Sequence, residues 1–164
     1  MPGETRCDPI ADAVAGLAHI PAGPGLAAVL ASVDLKGLTG SQCVDVVKAR
    51  YRQASHERGQ LFAVIAEVMH RGEADSPAFA QWPGEFAADE VRAALVLTRR
   101  AAENLCVFAE DLVRRLPAVQ QALAAGVIDQ PRARVFSVWT SCLAQAHVSA
   151  IELPPLSRRL LIMV

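Results

Sequence analysis

Thr98, Arg99, Arg100 and Asn104 lie close together in the chain and have the side-chain types that contact the edges of DNA bases. Arginine pairs with guanine through two parallel hydrogen bonds, and asparagine pairs with adenine in the same way. In helix-turn-helix motifs, the first residues of the second helix face the bases. The chemistry expected of these residues is therefore recognition of DNA by hydrogen bonding, with no covalent step.

The surrounding sequence predicts the two helices that would position these side chains. Asp89 to Leu95 is expected to form a short helix, Val96 and Leu97 the turn, and Thr98 the hydroxyl cap of the next helix. The outer face of that second helix is expected to carry Arg100, Glu103, Asn104 and Asp111. Its buried face is expected to carry Ala101, Leu105, Phe108, Ala109 and Leu112.

A purely structural interpretation of the same segment stays open. Two amphipathic helices joined by a short turn also occur throughout helical bundles, and Arg99 or Arg100 can pair with Glu103 on the helix surface. Residues 73–129 hold five arginines and nine carboxylates. Since DNA-binding domains are usually basic, this charge favours the structural interpretation.

A second basic segment begins after residue 129. Arg132 and Arg134 are further candidate contacts with nucleic acid. They are two residues apart, so on a helix they are expected to diverge instead of forming one patch.

The longest predicted element is a helix that starts at Thr39 and ends at Gly72. Thr39 and Gln42 have the spacing of a capping box. Apolar residues then recur at alternating intervals of three and four, which is the spacing of a heptad seam. We expect this seam to lie in a bundle core, because the apolar stripe is wide, and a dimer seam is the alternative. The seam positions are Val44, Val47, Tyr51, Ala54, Arg58, Leu61, Ile65 and Val68, and Arg58 interrupts the apolar series.

The remaining patterns are helical as well, and no segment has the alternation of a strand. Helices are predicted after Asp8, at Pro24, from Pro117 to Gly126, and after Asp129. The last of these is expected to bury Ala133, Phe136, Thr140 and Leu143. The fold class is therefore all-α, a helical bundle with a long central helix. We divide the chain into N-terminal helices (1–34), a helical domain (35–150) and a tail (151–164).

Several function classes are not expected. No apolar run approaches the ~20 residues of a membrane span, and the acidic, proline-broken start does not resemble a signal peptide. A cytoplasmic location with reduced cysteines is expected. The four histidines are isolated, and motifs for a metalloprotease, a serine hydrolase or a phosphate-binding loop are missing. We therefore expect no catalytic residues, metal, cofactor or small-molecule substrate. The histidines are His19, His56, His70 and His147, and the cysteines are Cys7, Cys43, Cys106 and Cys142.

An ordered set of short motifs resembles a known bacterial family. It comprises Leu116–Pro117, the run from Ala122 to Asp129, and Ala133–Arg134–Val135. This pattern is similar to the domain of unknown function 222, the helical region of the 13E12 repeat family, and the resemblance covers roughly residues 35–145. It implies a helical domain that precedes an HNH endonuclease module in fuller, mobile-element-like members. Because no HNH ligand set accompanies it here, we expect a non-catalytic chain. The end of the sequence, IELPPLSRRLLIMV, departs from the family pattern, so we expect the reading frame to be truncated or shifted near residues 150–155.

Three hypotheses follow, in order of preference. The first is a non-catalytic, nuclease-associated helical domain that contacts DNA through the segment from Thr98 to Asn104. The second is an interaction module that pairs with a second copy of itself or with a separate nuclease chain. The third is an enzyme in its own right.

Overall fold

A computed structural model describes residues 14–74 and 85–143. These two ranges are built from helices and their connections and contain no strand, which confirms the all-α prediction. The helices are α1 (Pro24–Ala31), α2 (Gly40–Ala74), α3 (Glu85–Leu95), α4 (Arg99–Glu110), α5 (Pro117–Ala124) and α6 (Gln130–Thr140). A 3-10 turn (Leu35–Gly37) precedes α2, and a π-helical turn (Asp111–Arg115) follows α4. The predictions for Asp8, Cys7, His147 and the tail from residue 151 lie outside the described residues.

Side-chain caps set the start of α2 and α6, as the sequence predicts. The Thr39 N–H donates to Gln42 Oε1 at 2.8 Å, and the Gln42 N–H donates to Thr39 Oγ1 at 3.4 Å. At α6, Asp129 Oδ1 accepts the Arg132 N–H at 2.8 Å. Each cap pairs a backbone N–H that has no partner inside the helix. Two other helix ends differ slightly from the prediction. The helix α2 extends past Gly72 to Ala74, and α3 begins about one turn before Asp89.

The long helix α2 buries nearly opposite faces in its two halves. Val46 and Ala49 in the first half pack against α1 and the segment before it. Phe62 and Met69 in the second half join the main core with α3 to α6. At 3.6 residues per turn, Val46 and Phe62 point about 160° apart. The main core has an edge-to-face contact between Phe62 and Phe108, whose ring centroids are 5.1 Å apart.

This change of face makes the predicted seam wrong in its first half. Val44, Val47, Tyr51 and Ala54 are exposed, although their spacing suggested a bundle core. They lie on the same side of α2 as Phe62, but α1 packs on the other side there. In the second half the seam prediction is confirmed, because Ile65 is buried and Leu61 and Val68 pack against the core.

Polar side chains of α2 hold the N-terminal segment in place. Arg52 Nη2 donates to the Leu17 carbonyl and Arg50 Nη2 donates to the Leu30 carbonyl, each at 2.6 Å. These carbonyls lie near the C-terminal ends of helical segments, where a cation is favourable. The smaller core is therefore reinforced by charge-assisted hydrogen bonds.

The helices α2 and α5 approach each other closely at Gly59. A Cβ atom at this position would lie 2.7 Å from the backbone N and Cα of Ala124. The Gln120 side chain donates to the Gly59 carbonyl at 3.4 Å, and the His56 Nδ1–H donates to the Ala124 carbonyl. Gly59 lowers helix propensity, but it allows two backbones to touch.

We predict that Gly59→Ala destabilises the protein by about 1–3 kcal/mol, the usual cost of overpacking. The added methyl group meets backbone atoms, which cannot move aside as a flexible side chain can. Urea unfolding followed by circular dichroism measures the change. Gly25→Ala in α1 is the matched control, since a Cβ there meets nothing within 4 Å. Equal stability of the two variants would contradict the close approach.

Candidate functional site

The turn between α3 and α4 is a helix-ending motif in which one residue is left-handed. The Leu97 N–H donates to the Arg92 carbonyl at 3.0 Å, and the Val96 N–H donates to the Ala93 carbonyl at 3.4 Å. Val96 has a φ of 52°. This pair of hydrogen bonds defines a Schellman motif, with Val96 at the position that glycine usually occupies.

The same motif recurs at the end of α5, where the residue is glycine. Gly126 has a φ of 69°, its own N–H donates to the Leu123 carbonyl, and the Val127 N–H donates to the Ala122 carbonyl, each at 2.9 Å. A left-handed conformation costs an L-residue roughly 1–2 kcal/mol, and a β-branched residue adopts it rarely. Val96 is 91% exposed, so packing within the chain does not offset this cost.

Thr98 caps α4 as predicted, but the buried face of α4 differs by one residue from the prediction. Thr98 Oγ1 accepts the Ala101 N–H at 3.3 Å. Ala101 itself is exposed, whereas Ala102 and Cys106 are buried beside Ala109. Burial raises the pKa of the Cys106 thiol. Because alanine is small and neutral, the sequence does not show whether Ala101 or Ala102 points inward.

The outer face of α4 presents Arg100 and Asn104 together. The two side chains are four residues apart and exposed, and neither forms a hydrogen bond or ion pair within the described ranges. Val107, one turn further along, is also exposed. Arg99 instead pairs with Glu103, with 2.8 Å between Nε and Oε1. This is the ion pair that the structural interpretation anticipates, and exposed pairs of this kind contribute little to stability.

Asp111 does not lie on that outer face, contrary to the prediction. Its carboxylate accepts hydrogen bonds from Arg115 and Ser137, and only 11% of its side chain is exposed. Arg115 also donates to the Thr140 carbonyl at 2.8 Å. The π-helical turn places Asp111 and Arg115 at the junction of α4 and α6, so both residues act in packing.

Arg132 is held by a cluster at the start of α6. Its Nη1 atom lies 2.7 Å from Asp129 Oδ2, and the Tyr51 hydroxyl donates to the same oxygen at 2.9 Å. This hydrogen bond raises the pKa of the Tyr51 phenol above its usual value. Sequence reasoning missed the cluster, because Tyr51 and Asp129 are 78 residues apart and no spacing rule connects them.

Arg134 has a different partner from Arg132, so the two side chains diverge as predicted. Its guanidinium carbon lies 4.4 Å from the centroid of the Phe108 ring, a cation–π contact. Both arginines therefore engage groups of their own chain. The structure brings together Arg100 and Asn104 of the predicted site, and assigns packing contacts to Arg132 and Arg134.

The described residues offer no metal site. No group of three or more histidine, cysteine or acidic side chains in the two ranges is arranged around a common point. His56 donates to a backbone carbonyl, and His70 accepts a hydrogen bond from Arg114 at 3.3 Å. Across the same ranges, every helix is too short or too polar to cross a membrane.

The comparison with known families identifies the family of this chain. A family model described as domain of unknown function (DUF222) matches residues 47–153, more than half of the chain. The chain belongs to the DUF222 family. No curated protein and no solved structure matches it. The membership confirms the resemblance to the domain of unknown function 222 and names no activity.

The structure explains the DUF222-like motif residues by packing. Leu116 is buried and Pro117 opens α5. Gly126 ends α5 and Ile128 enters the core. Asp129 caps α6. These motifs therefore specify the path of the chain and do not assemble a reactive group.

We predict that Val96→Gly stabilises the protein by about 1 kcal/mol, because glycine adopts the left-handed conformation without steric cost. The melting temperature and the urea midpoint measure the gain. Gly126→Val is the reciprocal variant and should be strongly destabilising, since its Cβ would lie 2.6 Å from the Arg52 carbonyl oxygen. A loss of stability in Val96→Gly would show that Val96 is not strained.

Proposed function

We propose that this chain is a non-catalytic helical domain of a nuclease-associated, mobile-element-like protein, and that it contacts DNA through the outer face of α4. The observation that carries the proposal is the exposed pair of Arg100 and Asn104 near the start of this helix. Arginine and asparagine at this spacing can each make a bidentate contact with a purine in the major groove. Thr98 begins the helix and adds an exposed hydroxyl.

The charge distribution limits the kind of DNA binding that is proposed. The formal net charge is −1, and Glu103 lies beside Arg99 on the same helix. Binding driven mainly by phosphate neutralisation needs a more basic surface. The proposal is therefore a small number of base contacts by Arg100 and Asn104, with Arg99 near the phosphates and modest affinity for random DNA.

The nuclease association rests on the resemblance to the 13E12 repeat family. In that arrangement the helical domain binds DNA and a separate nuclease module or chain supplies the metal and the hydrolytic step.

We predict that Arg100→Ala combined with Asn104→Ala weakens DNA binding at least tenfold, because each bidentate base contact contributes about 1–3 kcal/mol. Fluorescence anisotropy measures binding to duplexes enriched by the wild-type chain from a random pool. Both side chains are exposed, so the double variant should keep the wild-type melting temperature.

Arg58→Ala is the matched control, since Arg58 is an exposed arginine on α2 and the same charge is removed. Equal losses in Arg58→Ala and in the double variant would contradict site-specific contact. Supercoiled plasmid incubated with the purified chain and Mg²⁺ should stay intact. A nicking activity that co-purifies with the protein would contradict the non-catalytic part of the proposal.

Self-association is a second candidate function, favoured by the exposed strip Val44, Val47, Tyr51 and Ala54 on α2. An open groove of about 500 Å³ runs between this strip and Leu35. The strip has heptad spacing, so an antiparallel second copy would place Val44 opposite Ala54 and Val47 opposite Tyr51. All four layers formed in this way are apolar, which favours a second copy as the occupant.

We predict that Val47→Glu weakens a concentration-dependent dimer, because a carboxylate would be buried in the seam without a partner. Sedimentation over a range of protein concentrations measures the dissociation constant. Val64→Glu is the matched control, since Val64 is 61% exposed and Val47 64% exposed, and both lie on α2. Tyr51 is left unchanged because it bonds to Asp129. A chain that stays monomeric at all concentrations would exclude self-association and leave a separate protein as the occupant.

A further inference from the structure

We propose that Val96 is a specificity-determining residue that contacts the C5-methyl group of thymine beside the bases paired with Arg100 and Asn104. The inference deepens the proposed function and depends on it. It begins from an observation that the DNA proposal does not use, namely a valine in the left-handed region at the tip of the α3–α4 turn.

The backbone of this turn has no need of a side chain at residue 96. The two hydrogen bonds that end α3 are the same as those that end α5, and at α5 the corresponding residue is Gly126. Glycine satisfies this geometry without strain. The isopropyl group of Val96 therefore lowers stability, and nothing in the turn itself accounts for its presence.

The side chain does not contribute to the core either. Val96 is the most exposed of the large apolar residues in the described ranges, at 91%. The preceding residue, Leu95, is also partly exposed at 43%. A strained residue whose side chain makes no stabilising contact within its own chain indicates an intermolecular contact.

The position of Val96 points to the class of ligand. Val96 lies two residues before the cap Thr98, at the end of α4 that carries Arg100. Among the base edges of the major groove, the thymine C5-methyl is the apolar group available to such a side chain. We therefore expect the isopropyl group at this end of the helix to select thymine, in addition to the bases that Arg100 and Asn104 select by hydrogen bonding.

The test compares duplexes that differ only in methyl groups. Duplexes enriched by the wild-type chain are prepared with thymine and again with deoxyuridine, which lacks the C5-methyl. The full-length wild type, Val96→Gly and Val96→Ala are titrated against both. One lost methyl contact should weaken wild-type binding about fourfold. Val96→Gly should bind the two duplexes equally and bind the thymine duplex more weakly than the wild type does. Val96→Ala keeps one methyl group, so its preference for the thymine duplex should be smaller than that of the wild type.

Val96→Gly separates a lost contact from a damaged fold, because this variant is expected to be more stable than the wild type while binding thymine DNA less tightly. If the wild type and both variants lost the same affinity on deoxyuridine duplexes, the role of Val96 would be overturned, because another residue would then contact the methyl group. A wild type indifferent to deoxyuridine would overturn it as well. If the wild type bound no duplex, the proposed function itself would fail, and this result is distinct from the other two.

Discussion

The backbone contact between α2 and α5 is the constraint on which the rest of the fold depends. Gly59 lets Ala124 approach to a distance that a Cβ atom would prevent. Gly126 lies two residues after Ala124, and there the chain turns next to the Arg52 carbonyl oxygen. A Cβ atom at residue 126 would also clash with that oxygen. This turn places Asp129 where it accepts a hydrogen bond from Tyr51 and caps α6. From this start α6 places Arg134 over Phe108 of α4, which links α6 to α4.

The same arrangement keeps the candidate DNA face separate from the packing of the core. Residues that hold α4 in place point inward, as Ala102, Cys106 and Phe108 do. Arg100 and Asn104 point outward and form no hydrogen bond or ion pair within the described ranges. Substitutions on the outer face should therefore alter binding without loss of stability. The family motif around Asp129 behaves in the opposite way, since its residues determine the fold and their loss would prevent any assay of function.

Local signals in the sequence were sufficient to predict where α2, α4 and α6 start. Thr39, Thr98 and Asp129 cap their helices through contacts that span only three residues, so short-range chemistry decides them. Periodicity also identified which residues share a face. It could not show which face is covered, because that depends on distant helices. Val47 and Phe62 share one side of α2, yet Val47 is exposed and Phe62 is buried.

The candidate site was predictable in part for the same reason. The exposed pair of Arg100 and Asn104 follows from helix geometry alone, given the Thr98 cap. Arg134 contacts Phe108, and Tyr51 joins the local pair of Arg132 and Asp129. Phe108 and Tyr51 come from distant parts of the chain, so these two contacts could not be foreseen. Nor could the left-handed Val96 be foreseen, because sequence rules expect glycine at that position. Of the six candidate residues, Arg132 and Arg134 contact groups of their own chain, and the other four lie exposed at the start of α4.

The salt dependence of DNA binding tests the central claim most directly. The wild-type chain and Arg100→Ala are titrated with one enriched duplex over a series of salt concentrations. We predict that the logarithm of the wild-type binding constant falls linearly with the logarithm of the salt concentration. Because Arg100 is proposed to contact a base, Arg100→Ala should bind more weakly at every salt concentration while its slope stays close to that of the wild type. No binding at low salt, or identical constants and slopes for the two proteins, would contradict DNA contact through α4.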